Sequence, residues 1–88
     1  MPLSVQKLVN RLTFRQLQVF LTVYQAASYS KAGEQLGLTQ PAVSSQIRQL
    51  EAALDVPVFE YVGRKLYCTA AGESLVKSIH VMLSLIHI

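Results

Sequence analysis

A length of 88 residues is that of one small domain or of a piece of a longer chain, and a core of this size is marginal because so short a chain buries only about 60% of its unfolded surface. With 51% hydrophobic and 15% charged residues the composition excludes intrinsic disorder, and the net charge of +3 permits nucleic acid as a partner without specifying it. A single cysteine excludes an internal disulfide framework, and with two histidines it leaves too few ligands for a four-coordinate structural zinc site.

Residues 1–12 read as a short lead. They lack the apolar stretch of a signal peptide, so a cytoplasmic chain is expected. Thr13 opens the first helix. Thr13 and Gln16 form a capping box, and Phe14, Leu17, Phe20, Leu21 and Tyr24 recur at helical spacing as one buried face. The pattern stops around Ala26–Ser28. Ser30 is the expected cap of a second, short helix over Lys31–Leu36, closed by Gly37. Thr39 is the next cap, and Pro41 falls in the first turn of a third helix, where its missing N–H is harmless. Val43, Ile47, Leu50 and Leu54 then mark an apolar stripe that Pro57 is expected to end. Two unequal helices joined by a short glycine-bearing turn are the signature of a helix-turn-helix.

Val58–Val62 and Lys65–Cys68 are rich in aromatic and β-branched residues around Gly63-Arg64, a hairpin or wing. Thr69 caps a fourth helix. Leu75, Ile79, Met82 and Ile86 recur along it at 4-3-4 spacing, the seam of a coiled coil. The most apolar stretch, Ile79–Ile88, is too short to span a bilayer, and no membrane partner is expected. The expected fold is mostly α: a winged helix-turn-helix with a three-helix core, a β-hairpin wing and the start of a C-terminal helix.

The outer side of the third helix points to chemistry. Pro41, Ser45, Arg48, Gln49 and Ala52 lie opposite the apolar stripe, with Ala42 and Ser44 on the shoulders. From Gln40 to Gln49 that surface is small or polar, with one cation and no acid. A B-DNA major groove about 12 Å wide admits a helix whose leading side chains are short. Gln can pair with adenine through two hydrogen bonds, serine suits several bases, and Arg48 can reach a phosphate. Ser30 and Thr39, with the free amides of their helix starts, add phosphate donors.

Ser28-Tyr29-Ser30-Lys31-Ala32-Gly33-Glu34-Gln35-Leu36, followed by Leu38-Thr39-Gln40-Pro41-Ala42-Val43-Ser44, Gln46-Ile47 and Leu50-Glu51, resembles the N-terminal DNA-binding domain of LysR-type transcriptional regulators. Phe59-Glu60, Gly63-Arg64 and Thr69-Ala70-Ala71-Gly72-Glu73 continue the likeness, which runs from about Leu12 to Ser78. The resemblance implies a bacterial, cytoplasmic, nucleoid-associated protein that binds double-stranded DNA at two-fold operators. It implies base contacts from Gln40, Pro41, Ala42, Ser44 and Ser45, and entry of Arg64, beside Lys65, into the minor groove. It also implies a homodimer paired through the helix from Thr69, with Leu75, Ile79 and Met82 at the seam, and a tetramer at full length. Members of the family continue into a two-lobed effector-binding domain, through which alone a small-molecule effector would act. The resemblance thus divides the chain into a lead (1–12), a DNA-binding domain (13–68), a linker helix (69–82) and a tail (83–88).

Departures from the family pattern locate the open points. Asp55 stands where a turn glycine is usual, so either the entry to the wing is distorted or Asp takes a left-handed conformation. Gly33 replaces an alanine at a helix cost of about 1 kcal/mol. Tyr61 replaces an arginine, which removes one expected phosphate contact, and Ser45 stands for a larger residue, so base preference does not carry over. The wing Val62–Tyr67 looks most like those of regulators of carbon-fixation operons. Leu83–Ile88 resembles the in-frame translation of a transposon end used in preparing sequencing libraries. A non-native tail is therefore expected there, a natural short regulator being the alternative, and Ile86 is discounted from the seam.

No enzyme is expected. Cys68 lies in a strand as a small core or edge residue, and His80 and His87, seven apart, are too few for a metal site. Gly33, Gly37, Gly63 and Gly72 form neither a dinucleotide fingerprint nor a phosphate-binding loop, so no cofactor is expected. The competing reading is a winged helix that pairs with protein and has lost DNA contact. Salt dependence of binding separates the two.

Overall fold

In the computed structural model, residues 13–86 are described, with side chains through Met82. The expected lead at 1–12 and His87 lie outside the described residues, as do the side chains of the expected tail, Ile86 included. The order is α1 (Phe14–Ala26), α2 (Tyr29–Leu36), α3 (Gln40–Leu54), β1 (Phe59–Val62), β2 (Lys65–Cys68) and α4 (Ala70–Ile86), the expected succession of elements.

Helix α1 starts on the expected capping box: Thr13 Oγ1 accepts the Gln16 N–H at 3.0 Å, and Gln16 Oε1 accepts the Thr13 N–H at 3.1 Å. It ends where Ala27 turns left-handed (φ 53°) and donates its N–H to the Val23 carbonyl. Its buried face differs from the expected one. Gln16, Val19, Phe20 and Val23 are buried, whereas Leu17, Leu21 and Tyr24 are half-buried and Phe14 is 82% exposed. Two apolar stripes about 100° apart share Phe20, and the core takes the one whose count Gln16 interrupts.

Helix α2 begins earlier than Ser30. Ser28 is its cap, extended at φ −164° and accepting the Lys31 N–H at 3.2 Å, and Ser30 lies within the first turn. The left-handed Ala27 leads straight into that cap, so Ser28 is used first. Gly37 closes the helix in the left-handed conformation, and the Leu38 N–H bonds to the Gly33 carbonyl at 2.8 Å. Gly33 is more than a propensity cost. A Cβ there would stand 2.6 Å from the Leu38 carbonyl oxygen, so the bare backbone permits the tight turn into α3.

Helix α3 starts at Thr39, whose Oγ1 accepts the Ala42 N–H at 3.2 Å, with Pro41 in the first turn. Val43, Ile47 and Leu50 are buried, and Leu54, at the end of the stripe, is half-buried. The helix stops before Pro57 acts. Asp55 is left-handed (φ 59°), the second of the two alternatives at that position, and both its N–H and that of Val56 bond to the Glu51 carbonyl. The chain divides into two compact units at Val56/Pro57. The first packs α1, α2 and α3 around Val19, Phe20, Val23, Ala32, Val43, Ile47 and Leu50.

The second unit is the hairpin and α4. β1 and β2 are antiparallel, from Phe59 opposite Cys68 to Val62 opposite Lys65. The strand begins at Phe59, one residue later than expected. The two-residue turn has Gly63 at φ +65° with Arg64 outside the left-handed region, the sign pattern of a type II′ hairpin turn. Thr69 ties the hairpin to α4: its hydroxyl donates to the Pro57 carbonyl at 2.7 Å and accepts the Gly72 N–H at 3.1 Å, while its own N–H reaches the Val58 carbonyl at 2.9 Å. A Cβ on Gly72 would collide with the Val58 carbonyl oxygen and Cys68 Sγ, so that glycine allows the helix to approach. Val58, Phe59, Val76 and Ile79 are buried.

Candidate nucleic-acid interface

The sequence-expected site residues divide between the units. In the first, α3 presents Thr39, Gln40, Pro41 and Arg48 exposed, with Ala42, Ser44 and Ser45 half-buried beside them. The apolar stripe of α3 faces the core, so its opposite side remains for a partner. Ser30 is exposed in α2, which packs against α3. It keeps its place near a helix start, although as a first-turn residue and not as the cap.

The donors at the start of α3 are fewer than a bare helix end offers. Thr39 Oγ1 takes the Ala42 N–H, the Val43 N–H bonds to the Thr39 carbonyl, and Pro41 has none. Among the described residues, the amides of Thr39 and Gln40 remain, together with the Thr39 hydroxyl proton. Gln40 Nε2 donates to Ser44 Oγ at 2.9 Å, so the two act as a pair. One of its two N–H groups is used in that bond. The other, with Oε1, still forms the donor–acceptor couple that matches an adenine edge.

Farther along, the sequence reading missed a cross-link. Gln16 Nε2 donates to Gln49 Oε1 at 3.2 Å, joining α1 to the outer side of α3. The capping box announced Gln16, but no local pattern announces a partner 33 residues away.

In the second unit, Arg64 and Lys65 are exposed at the hairpin turn. Tyr61 is 62% exposed and Val62 59% exposed. The expected seam residues on α4 differ in exposure: Leu75 is half-buried, Ile79 is buried at 4% exposure and Met82 is 45% exposed. Ile79 is therefore covered by its own chain. The adjacent Val81, 59% exposed, is presented outward instead.

Cys68 is half-buried, and burial first, then the negative charge of Glu73, pushes its thiol up to about 11. It is thus a protonated packing residue at neutral pH, not a nucleophile. Among the described residues, no cluster of three or more His, Cys, Asp or Glu could hold a metal, and no helix is long and apolar enough to cross a membrane.

Comparison with known proteins adds independent information. The family model for the bacterial regulatory helix-turn-helix protein, lysR family, matches residues 14–73. The RuBisCO operon transcriptional regulator of Acidithiobacillus ferrooxidans is 43% identical over 75 residues, which are 85% of this chain and 24% of that protein. The transcriptional regulator CbbR of Rhodospirillum rubrum is 47% identical over 80% of this chain and 24% of its own length. The chain thus spans about a quarter of the curated relatives it matches. Among solved structures, a LysR-family regulator from Eggerthella lenta superposes with TM-score 0.77 at 39% identity, covering 78% of this chain and 99% of that one. A CbnR_DBD–DNA complex gives 0.76 at 33% identity, covering 86% and 87%.

Proposed function

The chain belongs to the LysR family of bacterial regulatory helix-turn-helix proteins, and on that premise we propose that residues 13–68 bind double-stranded DNA by sequence, with α3 in the major groove. The chain is not an enzyme. The observation that carries the DNA reading is the outer side of α3 from Thr39 to Arg48, short and polar, with one cation and no carboxylate. Gln40, paired with Ser44, reads a base edge, and Pro41, Ala42 and Ser45 lie close enough to the groove floor to shape the fit. Thr39, Ser30 and Arg48 contact phosphates. Arg64 at the hairpin turn enters a narrow minor groove, whose negative potential attracts arginine, and Lys65 beside it meets the backbone.

Residues 69–82 serve as the linker helix of a homodimer. Leu75 and Met82 contribute to that contact together with Val81, and Ile79 supports it from inside its own chain. A two-fold dimer places two recognition helices on half-sites about 34 Å apart. In the full-length protein an effector-binding domain would follow and tetramers would form, in the bacterial cytoplasm and on its nucleoid. The relatives named for RuBisCO operons support a role in controlling carbon fixation.

A winged helix devoted to protein pairing is disfavoured by the exposed Gln40, Arg48 and Arg64. Salt titration of binding to a duplex selected from random sequence decides between the readings. Each phosphate neutralised steepens the fall of log K against log salt by about 0.9. Arg64→Ala should flatten that slope and weaken binding by about 1–3 kcal/mol. No selectable duplex, or a slope near zero, would remove the DNA reading.

A further inference from the structure

The outer side of α3 carries one more polar group, and its orientation is fixed. Gln16 Oε1 accepts the Thr13 backbone N–H, a group that only donates. Gln16 must therefore turn its NH2 toward α3, and Gln49 must answer with its oxygen, as the 3.2 Å bond between them requires. Gln16 is only 7% exposed, so reversing either amide would leave a buried donor or acceptor unpaired. Gln49 itself is exposed. Its NH2 is thus held outward, with both N–H donors unengaged among the described residues.

At 100° per residue, Arg48 and Gln49 fall about 50° to either side of the direction opposite Val43, Ile47 and Leu50. Gln49 also lies roughly 14 Å along the helix from Gln40, too far to share its base pair. A helix seated in a groove about 12 Å wide has a row of phosphates on each flank. We propose that Gln49 is a phosphate contact on the flank opposite Arg48, and that Gln16 is the positioning residue that aims its amide. This rests on the DNA reading above. An amide donor adds a hydrogen bond without neutralising a phosphate, which makes its contribution separable from that of Arg48.

The test uses the 88-residue chain, a duplex selected by the wild type and an unrelated duplex. Gln49→Ala is expected to weaken binding roughly tenfold on both duplexes with the salt slope unchanged, whereas Arg48→Ala flattens the slope by about 0.9. Gln16→Glu keeps the capping box, because a carboxylate still accepts the Thr13 N–H. It offers Gln49 no donor, however, and draws the Gln49 NH2 inward. It should reproduce the loss seen in Gln49→Ala while still melting cooperatively, and should add little to the loss of binding in the Gln49→Ala background. Wild-type affinity in Gln49→Ala, a loss confined to the selected sequence, or full additivity of the two substitutions would each overturn the proposal while leaving DNA binding intact. A wild type that binds neither duplex would take down the DNA reading, and this inference with it.

Discussion

Between Thr13 and Val56 two large apolar side chains, Phe14 and Val56, stand exposed among the described residues, whereas from Pro57 to Met82 Tyr61, Val62, Tyr67, Val81 and Met82 all do. The first unit sends its aliphatic groups inward and ties its polar surface together through Gln16–Gln49 and Gln40–Ser44. The second leaves apolar groups in water beside Arg64, Lys65 and Lys77. A surface of the first kind is suited to a polar, hydrated partner. The second kind gains from cover, because exposed apolar area contributes about 25 cal/mol per Å² once removed from water. The contrast matches the division of labour proposed above, with DNA read by α3 and pairing carried by α4.

The largest effect tests a buried and an exposed position of α4 against each other. Ile79→Asp places an unpaired carboxylate at a position 4% exposed, and an uncompensated buried charge costs about 3–5 kcal/mol. In a domain this small that should abolish cooperative melting by circular dichroism. Met82→Asp, at a position 45% exposed, should keep a cooperative transition, lose self-association in sedimentation and melt below the wild type by no more than that association contributes. Loss of cooperative melting in both variants would erase the distinction between the buried and the exposed position.

Next come the two glycines set inside helices, one in each unit. Helix propensity favours alanine over glycine by about 1 kcal/mol. Contact geometry opposes it, since a Cβ on Gly33 would meet the Leu38 carbonyl oxygen at 2.6 Å and one on Gly72 would meet both the Val58 carbonyl and Cys68 Sγ. Overpacking of this kind costs about 1–3 kcal/mol. Gly33→Ala and Gly72→Ala should therefore both lower the urea midpoint, Gly72→Ala by more. An increase for either would mean that the backbone yields easily there.

These glycines also mark how far sequence reading reaches. Caps and stops were readable because each is a local event: Thr13, Thr39 and Thr69 as starts, Gly37 and Gly63 as turn glycines. At Asp55 the left-handed conformation was one of two alternatives. The polar side of α3 was readable for the same reason, since one helix period sorts it from Val43, Ile47 and Leu50. What escaped depends on contacts between elements. The periodicity of α1 favoured Phe14, but packing chose the stripe holding Gln16. Two serines within three residues could each have capped α2, and the left-handed Ala27 decided for Ser28. The Gln16–Gln49 bond leaves no periodic trace, and a heptad count cannot show that Ile79 is claimed by its own chain.

Backbone conformation supplies the next smaller effect. Ala27 sits at φ 53° with no side-chain polar group to ease it, and a left-handed L-residue costs about 1–2 kcal/mol. Ala27→Gly removes that strain but loosens the unfolded chain, for a net gain of about 0.5–1 kcal/mol. Asp55→Gly, at φ 59°, should gain less, since Asp tolerates this region better than Ala. Paired denaturant titrations measure the order. A larger gain at Asp55 would point to a carboxylate held unfavourably at the end of α3.

The last effect belongs to the second unit and appears only in alkali. The Cys68 thiol is pushed from 9.0 up to about 11, chiefly by burial and then by Glu73. Below pH 9 the thiol is protonated in both folded and unfolded chains, so it contributes no pH dependence. As pH rises through that value the unfolded chain releases the proton while the folded chain still holds it. The unfolded state then binds fewer protons, and stability falls with pH until the folded thiol also ionises near 11. Cys68→Ala lacks this response, and other groups titrate alike in both proteins. The wild type should therefore lose stability relative to Cys68→Ala between pH 9 and 11, and Glu73→Gln should narrow the window from its upper end. A constant difference across that range would mean that the thiol ionises as readily in the fold as out of it, and that the contact between Gly72 and Cys68 leaves the sulfur open to water.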